Sequence, residues 1–212
     1  MGTQSADHYF SSQPSTPLKR RPLKVVLAGE ERDLETAGGI FSPAGVDKGT
    51  AILLSEVPPP APEGNLLDIG CGWGPVALSL ALRSPHASVF AVDVNERSID
   101  LTRDNAVALG LTNVRASSPD AVDPDLRFNT IWSNPPIRVG KDELHSILLM
   151  WLPRLASGGS AYLVVQKNLG SDSLQRWLTA ELAQRFPEAG LKVSRYSTNK
   201  AFRVLRILRT AD

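Results

Sequence analysis

Leu66-Leu67-Asp68-Ile69-Gly70-Cys71-Gly72-Trp73-Gly74-Pro75 decides how this chain of 212 residues is read. A short apolar run over 65–69 has the length of a buried strand. It meets glycines at three alternate positions, and Pro75 then opens a helix where a missing N–H costs nothing. Glycines let the backbone turn sharply and approach a ligand with no Cβ in the way. In open α/β sheets ligands sit beyond the carboxyl ends of the strands, where this loop lies. The spacing D-x-G-x-G-x-G differs from the G-x-G-x-x-G that seats a pyrophosphate on a helix N-terminus. Asp68 sits badly beside a diphosphate. It suits a cation such as the amino group of a methionine moiety, directly or through water.

Downstream, strands and helices alternate. A strand over 88–94 carries Asp93 near its end, followed by Val94; an acid there accepts hydrogen bonds from both hydroxyls of a ribose, in a dinucleotide or in S-adenosyl-L-methionine. Asn95 caps a helix over 96–109 that Gly110 stops. Strands are expected over 113–116, 128–133 and 161–165, with a helix over 141–155 between the last two, closed by Gly158-Gly159. A helix over 174–185 starts from a cap at Ser171 or Asp172. Two strands over 191–196 and 202–208, joined by a turn, must be antiparallel. Continuous apolar strands alternating with helices imply a mostly parallel sheet covered on both faces. Upstream, 23–28 and 33–36 flank Gly29-Glu30 as a short hairpin, and 47–57 is helical. Three segments follow: an N-terminal arm and pre-core segment over 1–57, a stiff proline-rich connector over 58–63, and a core over 64–212.

Ser133-Asn134-Pro135-Pro136-Ile137 follows the fourth main strand. Two prolines end the strand and fix an extended backbone. They aim the Asn134 side chain and the Pro135 carbonyl out of the sheet edge. Two rigid acceptors suit a planar NH2 group, whose lone pair is then left to face a bound methyl donor. Cys71 has no histidine near it in sequence and reads as a small loop residue rather than a nucleophile. Trp73 either borders the ligand or packs under the loop. His145 reads as a helix residue near the surface.

Composition narrows the classes. Lys and Arg total 23 and Asp and Glu 22, a net charge of +1, so bulk charge is no basis for nucleic-acid binding. One cysteine and three histidines exclude a disulfide framework and leave little for a metal centre. No apolar h-region stands at the N-terminus, and no run is long enough to span a bilayer, so the expectation is a cytoplasmic protein without a membrane partner. The charge is uneven: Lys19, Arg20, Arg21 and Lys24 cluster near the start, and seven basic residues face two acids from Arg185 onward. These read either as phosphate contacts or as solvated strand edges.

Together the motifs resemble the class I S-adenosyl-L-methionine-dependent methyltransferases. Within these, the chain is similar to the methyltransferase small-domain family that includes ribosomal small-subunit RNA guanine-amine methyltransferases. His8-Tyr9-Phe10-Ser11, Phe41-Ser42, Val46-Asp47-Lys48-Gly49-Thr50 with Leu53-Leu54, Asn105-Ala106, Asn134 to Lys141, Val165-Gln166-Lys167 and Phe202-Arg203-Val204-Leu205 carry the likeness. It is nearest to short members with a single catalytic domain. The resemblance implies a Rossmann-like α/β fold, a seven-stranded mostly parallel sheet with an antiparallel last strand and helices on both faces, behind a short N-terminal extension. The cofactor it implies is S-adenosyl-L-methionine, leaving as S-adenosyl-L-homocysteine. That cofactor would lie across Gly70, Cys71, Gly72, Gly74, Asp93 and Val94, with Asp47, Gly49 and Thr50 as a lid-like loop at its methionine end and Asn134 nearby. Asn134, Pro135, Pro136 and Ile137 form the implied catalytic block, and the implied partner is rRNA or the small ribosomal subunit.

Two departures stand out. Many amine-methylating relatives carry an aromatic after Asn-Pro-Pro that stacks on the target base, and this chain has Ile137. The acid or amide that relatives place near the adenine amine has only Ser117, Ser118 or the later Asp120 as its equivalent. A protein-glutamine methyltransferase of the release-factor type and a non-catalytic cofactor-binding scaffold are the rival readings. Ile137 counts against the first, the intact glycine loop and Asn134 against the second. Monomer and homodimer stay open.

Overall fold

The computed structural model describes residues 19–211; the arm before Lys19, including the His8-Tyr9-Phe10-Ser11 match, lies outside them. The chain opens with an antiparallel hairpin of β1 (Arg20–Leu27) and β2 (Glu30–Ala37). Its turn is Ala28-Gly29, with φ of 51° and 87°, one residue earlier than the sequence suggests. Positive φ at both central residues matches the twist of paired strands. Helix α1 (Lys48–Glu56) follows, capped by Asp47.

The main body runs β3 (Asn65–Ile69), α2 (Pro75–Arg83), β4 (Ser88–Val92), α3 (Glu96–Ala108), β5 (Val114–Ser117), β6 (Phe128–Ser133), α4 (Lys141–Trp151), β7 (Leu155–Gln166), α5 (Ser171–Arg185), β8 (Leu191–Asn199) and β9 (Phe202–Arg209). The seven strands lie in the order β5-β4-β3-β6-β7-β9-β8. All neighbours are parallel up to β7, and β9 runs antiparallel to both β7 and β8. The seven-stranded sheet with an antiparallel last strand is therefore as the sequence implies.

Period-2 alternation sorts the strands onto two faces. Leu67, Ile69 and Ile131 join α4 and α5 through Leu144, Leu148, Trp151, Leu174 and Leu178. Leu66, Val89, Ala91 and Trp132 join α1, α2 and α3 through Leu53, Val76, Leu80 and Ile99. A third cluster fastens the hairpin to the body, with Leu23, Leu27, Leu34 and Ile40 against Trp73, Leu78 and Leu101.

Three boundaries differ from the sequence reading. Asp93 and Val94 lie just past the end of β4 rather than within it. Helix α4 stops at Trp151, and Gly158-Gly159 falls inside β7 rather than after a helix. A Cβ at Gly159 would come within 2.9 Å of the Phe128 and Ala156 carbonyls, so this glycine serves a close approach where the β6–β7 register shifts. Finally, α5 begins at Ser171 itself, with Gly170 as its cap at a φ of 94°.

Candidate active site

The strand order reverses between β3 and β6, because the chain winds from β3 out to β5 and returns to place β6 on the other side. Ligands of open α/β sheets bind at such a switch point, outside the carboxyl ends. Ile69 pairs in register with Ser133, so the glycine loop and Asn134 leave the sheet side by side. The Ser133 hydroxyl donates to the Ile69 carbonyl at 2.7 Å and ties the two strand ends together.

A cleft of about 350 Å³ opens there, lined by Gly70, Cys71, Gly72, Trp73, Asp47, Thr50 and Asn134, with Phe41 and Ser42 among the residues of its rim. Gly70 and Gly72 have φ of 79° and 58°, and a Cβ on either would meet nothing nearer than 3.8 Å. Gly74 is different: its φ is 100°, and a Cβ would press on Leu78 and Thr102 at 3.2 Å, so it is needed for packing. The Cys71 thiol is buried and takes a hydrogen bond from the Thr102 hydroxyl at 3.4 Å. Burial and the nearby Asp93 and Asp68 push this thiol well above its usual range, so it is no nucleophile.

Asp93 serves the loop with both oxygens: Oδ2 accepts from the Gly72 N–H at 3.0 Å and Oδ1 from the Asn95 N–H at 2.9 Å. Desolvation raises its pKa despite these bonds. Val94, next to it, keeps 44% of its surface in solvent. Ser117 ends the adjacent strand, its carbonyl taking the Asp93 N–H at 3.3 Å, and its hydroxyl donates to the Ser118 carbonyl. These residues sit at the far end of the loop from the cleft's Asn134.

Asp68 is buried beneath the glycine loop. It shares a strand face with Leu66, toward α2, and its Oδ2 accepts the Ala77 N–H at 3.0 Å. It is not among the cleft-lining residues. Burial pushes its carboxyl up to about 8, with the neighbouring Asp93 charge acting the same way. Trp73 packs under the loop and also lines the cleft; its indole N–H donates to the Ser42 carbonyl at 3.2 Å, holding the 41–47 segment over the site.

After Asn134, Pro136 adopts φ −74° and ψ 73°, the centre of an inverse γ-turn in which the Pro135 carbonyl accepts the Ile137 N–H at 2.8 Å. One of the two lone pairs of that carbonyl is thereby used. Ile137 packs against the α4–α5 core rather than standing in the cleft. The exposed aromatic at the rim is Phe41, with 48% of its surface in solvent. Phe202 is a second aromatic nearby, its Cε1 lying 3.2 Å from where a Gly49 Cβ would be. His145 stacks on Trp177 at 3.4 Å between ring centres, away from the cleft.

Asn105, which the sequence offers only as part of the family likeness, has a fastening role that its motif does not reveal. It is buried, donates to the carbonyls of Glu35 and Trp73, and accepts the Glu35 N–H. An amide on the buried stripe of α3, beside Leu101 and Thr102, is the signal that could have revealed it.

The profile of the methyltransferase small domain matches residues 31–206. The chain belongs to the methyltransferase small-domain family. It is a class I, S-adenosyl-L-methionine-dependent methyltransferase by fold and family. It is 35% identical over 171 residues to the uncharacterized protein YbxB of Bacillus subtilis, covering 79% of this chain and 85% of that one. It is 32% identical over 154 residues to ribosomal RNA small subunit methyltransferase C of Pseudomonas syringae, covering 70% of this chain and 46% of the relative. Among solved structures, the Thermus thermophilus 16S rRNA N2 G1207 methyltransferase, in complex with AdoMet and guanosine, superposes with a TM-score of 0.74 at 24% identity, over 92% of this chain and 52% of that one. The chain thus spans about half the length of the ribosomal RNA methyltransferases it matches. No helix among the described residues is long and apolar enough to cross a membrane.

Proposed function

We propose that this protein transfers a methyl group from S-adenosyl-L-methionine to the exocyclic amine of a guanine in small-subunit ribosomal RNA, releasing S-adenosyl-L-homocysteine. The observation that carries the reading is Asn134 at the switch point. Its Oδ1 takes no hydrogen bond among the described residues, yet the side chain lines the cleft beside the glycine loop.

The residues present fit the cofactor. Gly70 and Gly72 leave open space above the loop, the Asp93 carboxylate stands just past the end of β4 where a ribose edge would approach, and Val94 offers an apolar surface for a purine. Ser117 and Ser118 flank that end, and the Thr50 and Gly49 segment closes the other. When bound, the cofactor supplies a methyl carbon on a sulfonium, already activated for displacement. The chain's part is to position the acceptor. Asn134 Oδ1 and the remaining lone pair of the Pro135 carbonyl accept the two amine hydrogens. An amine so held turns its lone pair out of conjugation with its ring and toward the cleft. Phe41 supplies the exposed ring face that Ile137 does not.

Charge supports an RNA acceptor, though Arg20 and Lys24 of the N-terminal cluster are engaged within the protein. Arg20 pairs with Glu35 and Asp104, and Lys24 pairs with Glu31 and Asp33. On the side of the sheet where the carboxyl ends of β6 and β7 lie, the balance differs. Lys48 adjoins Asp47, Lys141 opens α4 after the Asn-Pro-Pro turn, and the Lys167 N–H donates to the Ala201 carbonyl beside Lys200. All four side chains are exposed, and none is in an ion pair among the described residues.

The test is transfer of labelled methyl groups to small ribosomal subunits, free small-subunit rRNA and release factors side by side. Label should enter RNA and elute as N2-methylguanosine after digestion to nucleosides. Label confined to protein glutamine, or to a ring nitrogen or hydroxyl, would overturn the reading.

A further inference from the structure

Asp47, Thr50 and Asn134 form a closed hydrogen-bonded circuit. Asp47 Oδ1 accepts the Gly49 N–H at 2.6 Å and the Thr50 N–H at 3.4 Å. Its Oδ2 accepts the Thr50 hydroxyl at 2.7 Å and the Asn134 Nδ2 at 2.7 Å. Asn134 Nδ2 also donates to Thr50 Oγ1 at 3.1 Å. A carboxylate has about four lone-pair sites, and all are taken. Asp47, read from the sequence as part of a lid-like loop, therefore has none left for a further donor.

The circuit fixes every hydrogen. Asp47 accepts only, so the Thr50 hydroxyl must point its proton at Oδ2 and can only accept from Asn134. The group Asn134 turns inward must then be its NH2, and its Oδ1 must face the other way. Nothing else described holds that amide.

We propose that Asp47 is a positioning residue for methyl transfer, holding the Asn134 amide in the one orientation that presents Oδ1 to the acceptor amine. This rests on the function proposed above. Donation to a charged partner also polarises the amide and makes Oδ1 a stronger acceptor as positive charge grows on the amine nitrogen.

Reciprocal exchange in the full-length chain tests it. Asp47→Asn leaves a good helix cap but frees the Asn134 amide to turn over. Its kcat should fall about ten- to a hundredfold, the worth of one hydrogen bond to a charged group, with S-adenosyl-L-homocysteine affinity within about twofold of the wild type by calorimetry. Asn134→Asp sets two carboxylates 2.7 Å apart and should lose at least as much. The double exchange restores one donor facing one carboxylate and should recover activity to within about tenfold of the wild type. Additive losses with no recovery, or a parallel loss of cofactor affinity, would overturn the proposal.

A second readout needs no acceptor. In 15N-labelled protein with S-adenosyl-L-homocysteine bound, the Asn134 Nδ2 protons should exchange with solvent at least about tenfold faster in Asp47→Asn than in the wild type, since they lose a charge-assisted bond. Equal exchange rates would overturn the orientation claim, whatever the acceptor proves to be. Absence of methyl transfer to any amine by the wild-type chain, with the exchange difference intact, would count against the proposed function alone.

Discussion

Asn105 and Glu35 hold each other by two reciprocal hydrogen bonds, as if the side chain were a further strand: the Glu35 N–H donates to Oδ1 at 2.8 Å, and Nδ2 donates to the Glu35 carbonyl at 2.9 Å. The second Nδ2 proton reaches the Trp73 carbonyl at 2.9 Å, so one amide joins the hairpin, α3 and the glycine loop. Asn95 and Arg97 fasten the hairpin exit in the same way, donating to the carbonyls of Gly39 and Gly38. The N-terminal segment is held to the site by polar contacts as well as by its apolar face.

Asn105→Ala should therefore act at two distances. Loss of the amide leaves the Trp73 carbonyl and the Glu35 N–H short of partners, at a cost of about 2 kcal/mol. Chemical denaturation reads that cost. Calorimetry should show weaker S-adenosyl-L-homocysteine binding in the same variant, although Asn105 does not line the cleft. Unchanged affinity with the full stability loss would make the amide a fastening for the hairpin alone.

Gly49→Ala should separate stability from activity. Gly49 lies in the first turn of α1, where alanine is the better helix former by about 1 kcal/mol. The new Cβ would sit 3.1 Å from Asp47 Oδ1, 3.2 Å from Phe202 Cε1 and 3.3 Å from Asn134 Nδ2. Stability should stay within about 1 kcal/mol of the wild type. Methyl transfer should fall about tenfold or more, because the acceptor side chain is displaced by a few tenths of an ångström. Thermal unfolding and steady-state kinetics on one preparation give both numbers.

Asp68 gives the chain a pH dependence of definite sign. Its folded carboxyl is pushed up to about 8, against about 4 in an unfolded chain. Between those values the folded state keeps a proton that the unfolded state has released, so stability falls as pH rises through the window and levels off above it. Asp68→Asn keeps an acceptor for the Ala77 N–H and cannot titrate. Urea unfolding of both proteins from pH 5 to 9 should show the wild type losing ground to the variant with each step upward. A difference independent of pH would show that Asp68 is ionised in the fold throughout.

Lys167→Glu and Lys200→Glu should weaken RNA binding without changing cofactor affinity. Each lysine removed from a phosphate contact lowers the slope of log affinity against log salt by about one. Arg20→Glu and Lys24→Glu are the controls, since those cations are already paired within the hairpin and its neighbour α3. Equal losses from both pairs of variants would place the RNA elsewhere.

The strand–loop–helix at Gly70, the strand–helix alternation and the Asn-Pro-Pro turn were all legible in the order of residues along the chain. Each depends on backbone chemistry within a few residues: glycine at positive φ, proline at a helix start or strand end, apolar runs of strand length. The antiparallel last strand was legible for the same reason, since strands joined by only a short turn have no room for a parallel crossover. What needed the tertiary structure was which polar atoms meet. Asp47 and Asn134 are 87 positions apart, and Glu35 and Asn105 are 70 apart. Their contacts exist only because β6 returns beside β3 and the hairpin folds back over α3. The face on which Asp68 lies, the packing of Ile137 and the internal pairing of Arg20 and Lys24 were settled the same way. A side chain's local sequence sets where its backbone can go, while its hydrogen-bond partner is chosen by strand order and packing across the whole sheet.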